Sequence, residues 1–164
     1  MAGLPEFLAW IESSALGVFM RQSGPWTYGI VNLGHLLGVS TLFGSILVLD
    51  LHLIGVWRRG PLDALARATV PVSKVGFAVA MATGLGLLSS NASEYLDNPF
   101  FLIKFLAIGC GLLNVWLLSR ASAWRARGTR ELSAGEQRQL AVMGGLSLVC
   151  WLTAVSAGRM IGYW

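Results

Sequence analysis

The stretch "GIVNLGHLLGVSTLFGSILVLDLHLIG", Gly29 to Gly55, decides how the chain is read, because it is almost entirely apolar apart from His35, Asp50 and His52. A helix that crosses a bilayer needs about 20 mostly apolar residues. Four runs meet that length, at about 26–57, 69–92, 99–119 and 139–163. The first is long enough to tilt or to project beyond the hydrocarbon. The chain therefore reads as all-α, a single membrane domain over 1–164 built as an integral membrane four-helix bundle.

Composition agrees. The 164 residues are 55% hydrophobic and 12% charged, with a mean hydropathy of +0.64. Soluble domains average about 25% charged residues, so half that fraction points to lipid as the solvent. The net charge of +4 could suit nucleic acid, but the arginines cluster beside apolar runs, where they set topology instead. The expected partner is the lipid bilayer, and no nucleic acid.

Before the first span, Leu4, Leu8, Ile11, Ala15 and Val18 recur at three- and four-residue steps, with Glu6, Glu12 and Arg21 in other directions. This spacing predicts an amphipathic interfacial helix over 1–23, ended by Ser23 to Pro25. The opening residues have no basic segment and carry Glu6 and Glu12, so no cleavable targeting peptide is expected.

Arg58, Arg59 and Arg67 follow the first span, and Arg120, Arg125, Arg127, Arg130 and Arg138 lie between the third and fourth. The segment "SSNASEYLDNP" between the second and third has two acidic residues and no Lys or Arg. Excess Lys and Arg favours the cytoplasm. Both termini are therefore expected in the periplasm, with the chain a multi-pass protein of a bacterial inner membrane. Trp26, Tyr95, Tyr163 and Trp164 suit an outer aromatic belt, and Trp57, Trp116 and Trp124 an inner one. The stretch "SAWRARGTRELSAGEQRQ" reads as a polar loop. Gly34, Gly38, Gly84, Gly86, Gly109, Gly111, Gly144 and Gly145 supply small surfaces that let helices approach in lipid.

The two histidines are the only ones in the chain. At about 1.5 Å per residue, His35 lies roughly 13 Å below the outer surface, and His52 about 25 Å further along the same helix. One haem or metal ion in one subunit cannot be held by both. His52, beside Trp57, Arg58 and Arg59, reads as an interface group reaching water and headgroups. His35 is expensive at its depth and needs an interior partner. Either it is a neutral imidazole bonded to Ser89, Asn91 or Thr83 of a neighbouring helix, or it is a metal ligand. For ligation, three other helices bring groups to a similar depth: Lys104 at about 9 Å, Met81 at about 16 Å and Arg159 at about 8 Å. Imidazole with Met or a basic group can form an axial pair for haem iron, and Arg or Lys can hold propionates or an anionic substrate. Cys110 and Cys150, near mid-bilayer on adjacent spans, offer copper a competing site, although buried cysteine is usually a small hydrophobe.

The stretches "HLLGVSTLFGSILVLDLHLIG" and "TGLGLLSSNASEYLDNPFFLIKFLAIGCGLLNVW" resemble an uncharacterised bacterial family of small four-helix membrane proteins. The resemblance rests on His35, Gly44, Ser45, Asp50, Leu51, Leu53, Thr83, Gly84, Asn98, Pro99, Phe101 and Lys104. More distantly, the chain is similar to copper-resistance D-like proteins and to the four-helix bacterial protoporphyrinogen oxidase, which is associated with haem b. That similarity implies His35 and Lys104 as a cofactor-binding pair. His52 stands where the pattern has Arg, and the third span ends in "NVWLLSR" without a His.

The expectation is a haem-b-associated membrane redox or electron-transfer subunit. His35 is its metal ligand, Lys104 or Met81 lies opposite, Arg159 stabilises negative charge, and a quinone is a candidate partner. The alternative is a cofactor-free structural subunit, packed against other membrane-protein subunits or in a homo-oligomer. Copper or small-solute transport is a third reading, disfavoured because no broken helix or inverted repeat is visible.

Overall fold

The computed structural model describes residues 3–57, 60–95 and 97–164, with the backbone alone at Leu4. Arg58 and Arg59, counted above among the topology-setting arginines, lie outside the described residues, as does the Leu4 side chain. Among the described residues seven α-helices follow one another: α1 Leu4–Ser13, α2 Ala15–Gln22, α3 Gly24–Ile54, α4 Leu62–Ser90, α5 Pro99–Arg120, α6 Ser122–Ala126 and α7 Ala134–Met160. No strand occurs among the described residues. Helices α3, α4, α5 and α7 are long and apolar enough to cross a membrane, as expected of a multi-pass membrane protein. Large apolar side chains such as Leu36, Leu102, Leu106 and Val149 lie more than half exposed on their outer faces. That is the surface a lipid environment covers.

The ends of these elements depart from the sequence reading, each for a local reason. The interfacial helix is two helices, because Ser14 is extended and its hydroxyl accepts the amide of Gly17, capping α2. The first span stops at Ile54, where Gly55 takes a left-handed conformation at φ 94° and donates to the carbonyls of Leu51 and His52. The second starts seven residues early, at Leu62, and runs through Pro71. The hydroxyls of Thr69 and Ser73 bond carbonyls of their own helix beside it, in keeping with the tolerance of membrane helices for proline. The fourth begins at Ala134, inside the stretch read as loop. There Ser133 and Glu136 form a reciprocal capping box.

Backbone contact at glycines holds α3 against α4. A Cβ on Gly38 would lie 2.7 Å from Ala80 N, and one on Gly76 would lie 2.5 Å from Leu42 N. Gly34 meets Thr83 in the same row. Small residues four apart on both helices therefore bring the backbones together, the usual device where lipid offers no hydrophobic drive. Helix α7 packs along both α3 and α5. Gly111 of α5 accommodates the buried ring of Trp151, which also meets Phe77 of α4 edge-on at 6.4 Å. Asn114, buried on α5, donates across to the carbonyl of Met143. Gly109 and Gly145, expected at contacts, face open space.

Each end of the bundle is fastened by polar groups. At the end carrying the termini, the Arg21 guanidinium donates to the carbonyls of Glu12, Ser89 and Ser90, satisfying acceptors left open where α4 ends. Glu12 accepts from the backbone and hydroxyl of Ser93, and these bonds hold its carboxyl below the usual range. At the arginine-rich end, Asp63 pairs with Arg67 and Arg127 and Trp124 is 8% exposed beneath Arg127. Trp124 is thus a core residue rather than a member of an interfacial belt. Trp26, Trp57, Trp116, Tyr163 and Trp164 are exposed, as belt residues would be.

Candidate functional site

Of the pairings proposed for His35, the structure forms the one with Thr83. The half-buried imidazole of α3 points at α4, with Nδ1 3.0 Å from the Ala80 carbonyl oxygen and 3.2 Å from Thr83 Oγ1. A carbonyl only accepts, so the proton sits on Nδ1. The Thr83 hydroxyl donates its own proton to Val79 O at 2.6 Å and so also faces the ring as an acceptor. Nε2 keeps its lone pair, and no described residue bonds it. The absent side chain at position 84 seats the ring: a Cβ there would lie 3.0 Å from His35 Cε1. A ring anchored through Nδ1 with a bare Nε2 has the tautomer and orientation a ligating histidine needs.

Lys104 of α5 reaches the same region. Its Nζ would be 3.6 Å from a Cβ on Gly158 of α7, so the amine lies against the α7 backbone, within electrostatic reach of His35. The ion pairs among the described residues use Asp63 and Glu136 as their acids, and none involves Lys104. Helices α3 and α5 do not pack along one another among the described residues, so side chains rather than backbone span the gap at this level. Gly158 went unnoticed in the sequence, although Gly162 follows it by four residues, because its contact with Lys104 depends on how α5 and α7 pack.

The other two residues of the expected set are exposed. Met81 is 40% exposed on the outer surface of α4. Arg159 is exposed, its guanidinium 4.6 Å above the Tyr163 ring and bonded to that hydroxyl. Cys110 is exposed on α5 and Cys150 is buried on α7. No group of three His, Cys, Asp or Glu capable of holding a metal ion occurs among the described residues.

A second polar group lies at the arginine-rich end. His52 was expected to reach outward, yet it is 9% exposed, with Nδ1 buried and without a partner among the described residues. Asp50 is 3% exposed, facing the Ser147 hydroxyl, with Oδ2 unpartnered. Depth along a helix is legible in a sequence, whereas the face a polar residue takes depends on neighbours the sequence does not order.

The chain belongs to a family of unknown function, DUF6644. Its family model matches residues 7–164, so the membership covers α3, α4, α5 and α7 together with most of the docked N-terminal helices. No match was found among curated proteins or among solved structures.

Proposed function

We propose that this family member is a haem-b-associated redox subunit of a bacterial inner membrane, with both termini in the periplasm and His35 as an axial ligand. The observation that carries the reading is the state of the His35 ring, with Nδ1–H committed to Ala80 and Thr83 and Nε2 bare. A porphyrin supplies four nitrogens of its own, so the protein need add only axial ligands, which suits a site lacking three clustered protein ligands. Haem, when bound, would supply one-electron chemistry. Ala80 and Thr83 hold the imidazole in position and raise the basicity of Nε2. Lys104, with no carboxylate partner among the described residues, would as an ammonium neutralise a propionate or, deprotonated, help hold the iron. Met81 and Arg159, both exposed, would hold a porphyrin only from its edge.

The test is the spectrum of protein purified in mild detergent from cells supplied with haem precursor, air-oxidised and then reduced with dithionite. A Soret band and sharpened reduced bands are expected in the wild type and lost in His35→Ala. Wild-type protein without haem would refute the reading. One feature favours a second reading, a cofactor-free structural subunit: the bond from His35 to Ala80 is itself a helix-to-helix clasp, of a kind worth about 0.6 kcal/mol on average in membranes. Haem-free protein that co-purifies with a fixed membrane partner would support that role.

A further inference from the structure

Helices α3, α4 and α7 and the segment before α7 line an open cavity of about 470 Å³ at the arginine-rich end. Leu53, Leu62, Leu132 and Leu140 form its walls. His52 lines it, nine-tenths buried, its ring bonding none of the described residues; Nδ1 is closed off inside the bundle, which leaves Nε2 as the nitrogen a ligand can reach. An imidazole nitrogen without a protein partner is free to exchange a hydrogen bond with a ligand. Glu131 and Gln137 complete the lining, the amide of Gln137 donating to the Leu132 carbonyl.

These walls restrict what can bind. A metal ion would find too few ligands, and an anion would meet the Glu131 carboxylate. The volume lies within the range of small-molecule sites, about 300–1,000 Å³, which are mostly apolar with a few placed polar groups. A neutral ring with an oxygen that exchanges a hydrogen bond with imidazole satisfies both the leucines and His52. We propose that this cavity binds the headgroup of a membrane quinone or quinol, its oxygen hydrogen-bonded to the His52 ring and its ring between the leucine side chains. The choice of a quinone among neutral amphiphiles rests on the redox reading above; the cavity and the open nitrogen do not.

With only two histidines in the chain, ¹⁵N-histidine labelling in lipid nanodiscs reports both sites at once, His35→Ala supplying the assignment. Titration with a benzoquinone bearing one isoprene unit is expected to shift the His52 ring nitrogens and leave those of His35 in place. His52→Leu, and independently Leu62→Trp, which narrows the cavity from α4, are each expected to weaken quinone quenching of tryptophan fluorescence by about fivefold or more. Unmoved His52 resonances at saturating quinone, or wild-type quenching in both variants, would overturn the proposal, the latter by assigning the signal to bilayer partition. The titration requires no haem. A His52 response in colourless protein would keep the cavity while refuting the redox subunit, and no response in haem-loaded protein would do the reverse.

Discussion

Replacing Gly76 by Ala tests how α3 and α4 hold the His35 site. The added methyl would lie 2.5 Å from Leu42 N and 2.9 Å from Gly38 O. Both are backbone atoms that cannot swing aside. Ordinary contact begins at 3.4 Å, so the helices must part locally by about 0.9 Å. A gap of that size forfeits about a quarter to a half of the dispersion attraction at each affected contact, and overpacking of a closed core costs about 1–3 kcal/mol. The α3–α4 contact is the most extensive in the fold, which places Gly76→Ala near the upper end, at about 3 kcal/mol. Ala80 lies one turn from Gly76 on the same face of α4, so the same displacement stretches the 3.0 Å bond from His35 beyond hydrogen-bonding range. Reversible unfolding in mixed micelles, titrated with SDS and followed by circular dichroism, measures the stability change. Gly109→Ala, where a Cβ meets nothing within 4 Å, is the control and should stay within about 0.5 kcal/mol of wild type. Equal stability of Gly76→Ala and wild type would refute the reasoning, as would equal losses in the two variants.

Gly84→Ala should push the His35 ring off its Ala80 bond at a cost of about 1 kcal/mol and change the reduced haem spectrum, with Gly86→Ala, whose Cβ would meet ordinary contacts, as the comparison. Lys104→Met should leave the helix content unchanged and alter the haem spectrum or its reduction potential; an unchanged spectrum and potential would remove Lys104 from the site. Arg21→Ala should speed amide exchange across Ser89–Ser93 by about fivefold, the equivalent of about 1 kcal/mol of lost hydrogen bonding. Docking of α1 and α2 should also depend on acid. The folded-state pKa of Glu12 is lowered, by its bonds to Ser93 first, so its stabilisation is complete above the ordinary value of 4.5 and fades as pH falls through the lower folded value. Limited proteolysis across 4–22 from pH 6 to pH 3 should show this loosening in wild type, and Glu12→Gln should be loosened at every pH.

The four spans were legible because lipid demands long apolar runs, and nothing local competes with that requirement. Their ends were less so. Ser133 and Glu136 form a capping box visible as "SAGE", yet the polar residues that start α7 resemble those of a loop. Ser14 follows another serine, and the sequence does not mark which of the two ends α1. In the site, Thr83 was one of three partners offered to His35, with Ser89 and Asn91, while Lys104, Met81 and Arg159 were grouped with it by depth, a one-dimensional quantity that helix rise supplies. Rotation about the helix axis was not available in the same way. Met81 and Arg159 were placed near the depth of His35 but are exposed, and His52 turns inward where neighbouring charges suggested an outward reach. Gly76 escaped notice for the same reason, since its small surface matters only because Gly38 and Leu42 of α3 lie opposite it.

The most direct test of the central claim is rescue of the missing ring. His35→Ala protein, produced with haem precursor and purified in detergent, would be titrated with free imidazole while its dithionite-reduced spectrum is recorded. Because Gly84 and Thr83 remain to frame the space left by the side chain, the account predicts little haem signal at the start and recovery of the wild-type bands as imidazole fills the position. Full wild-type colour in His35→Ala before any imidazole is added, or wild-type protein that never carries haem, would contradict it.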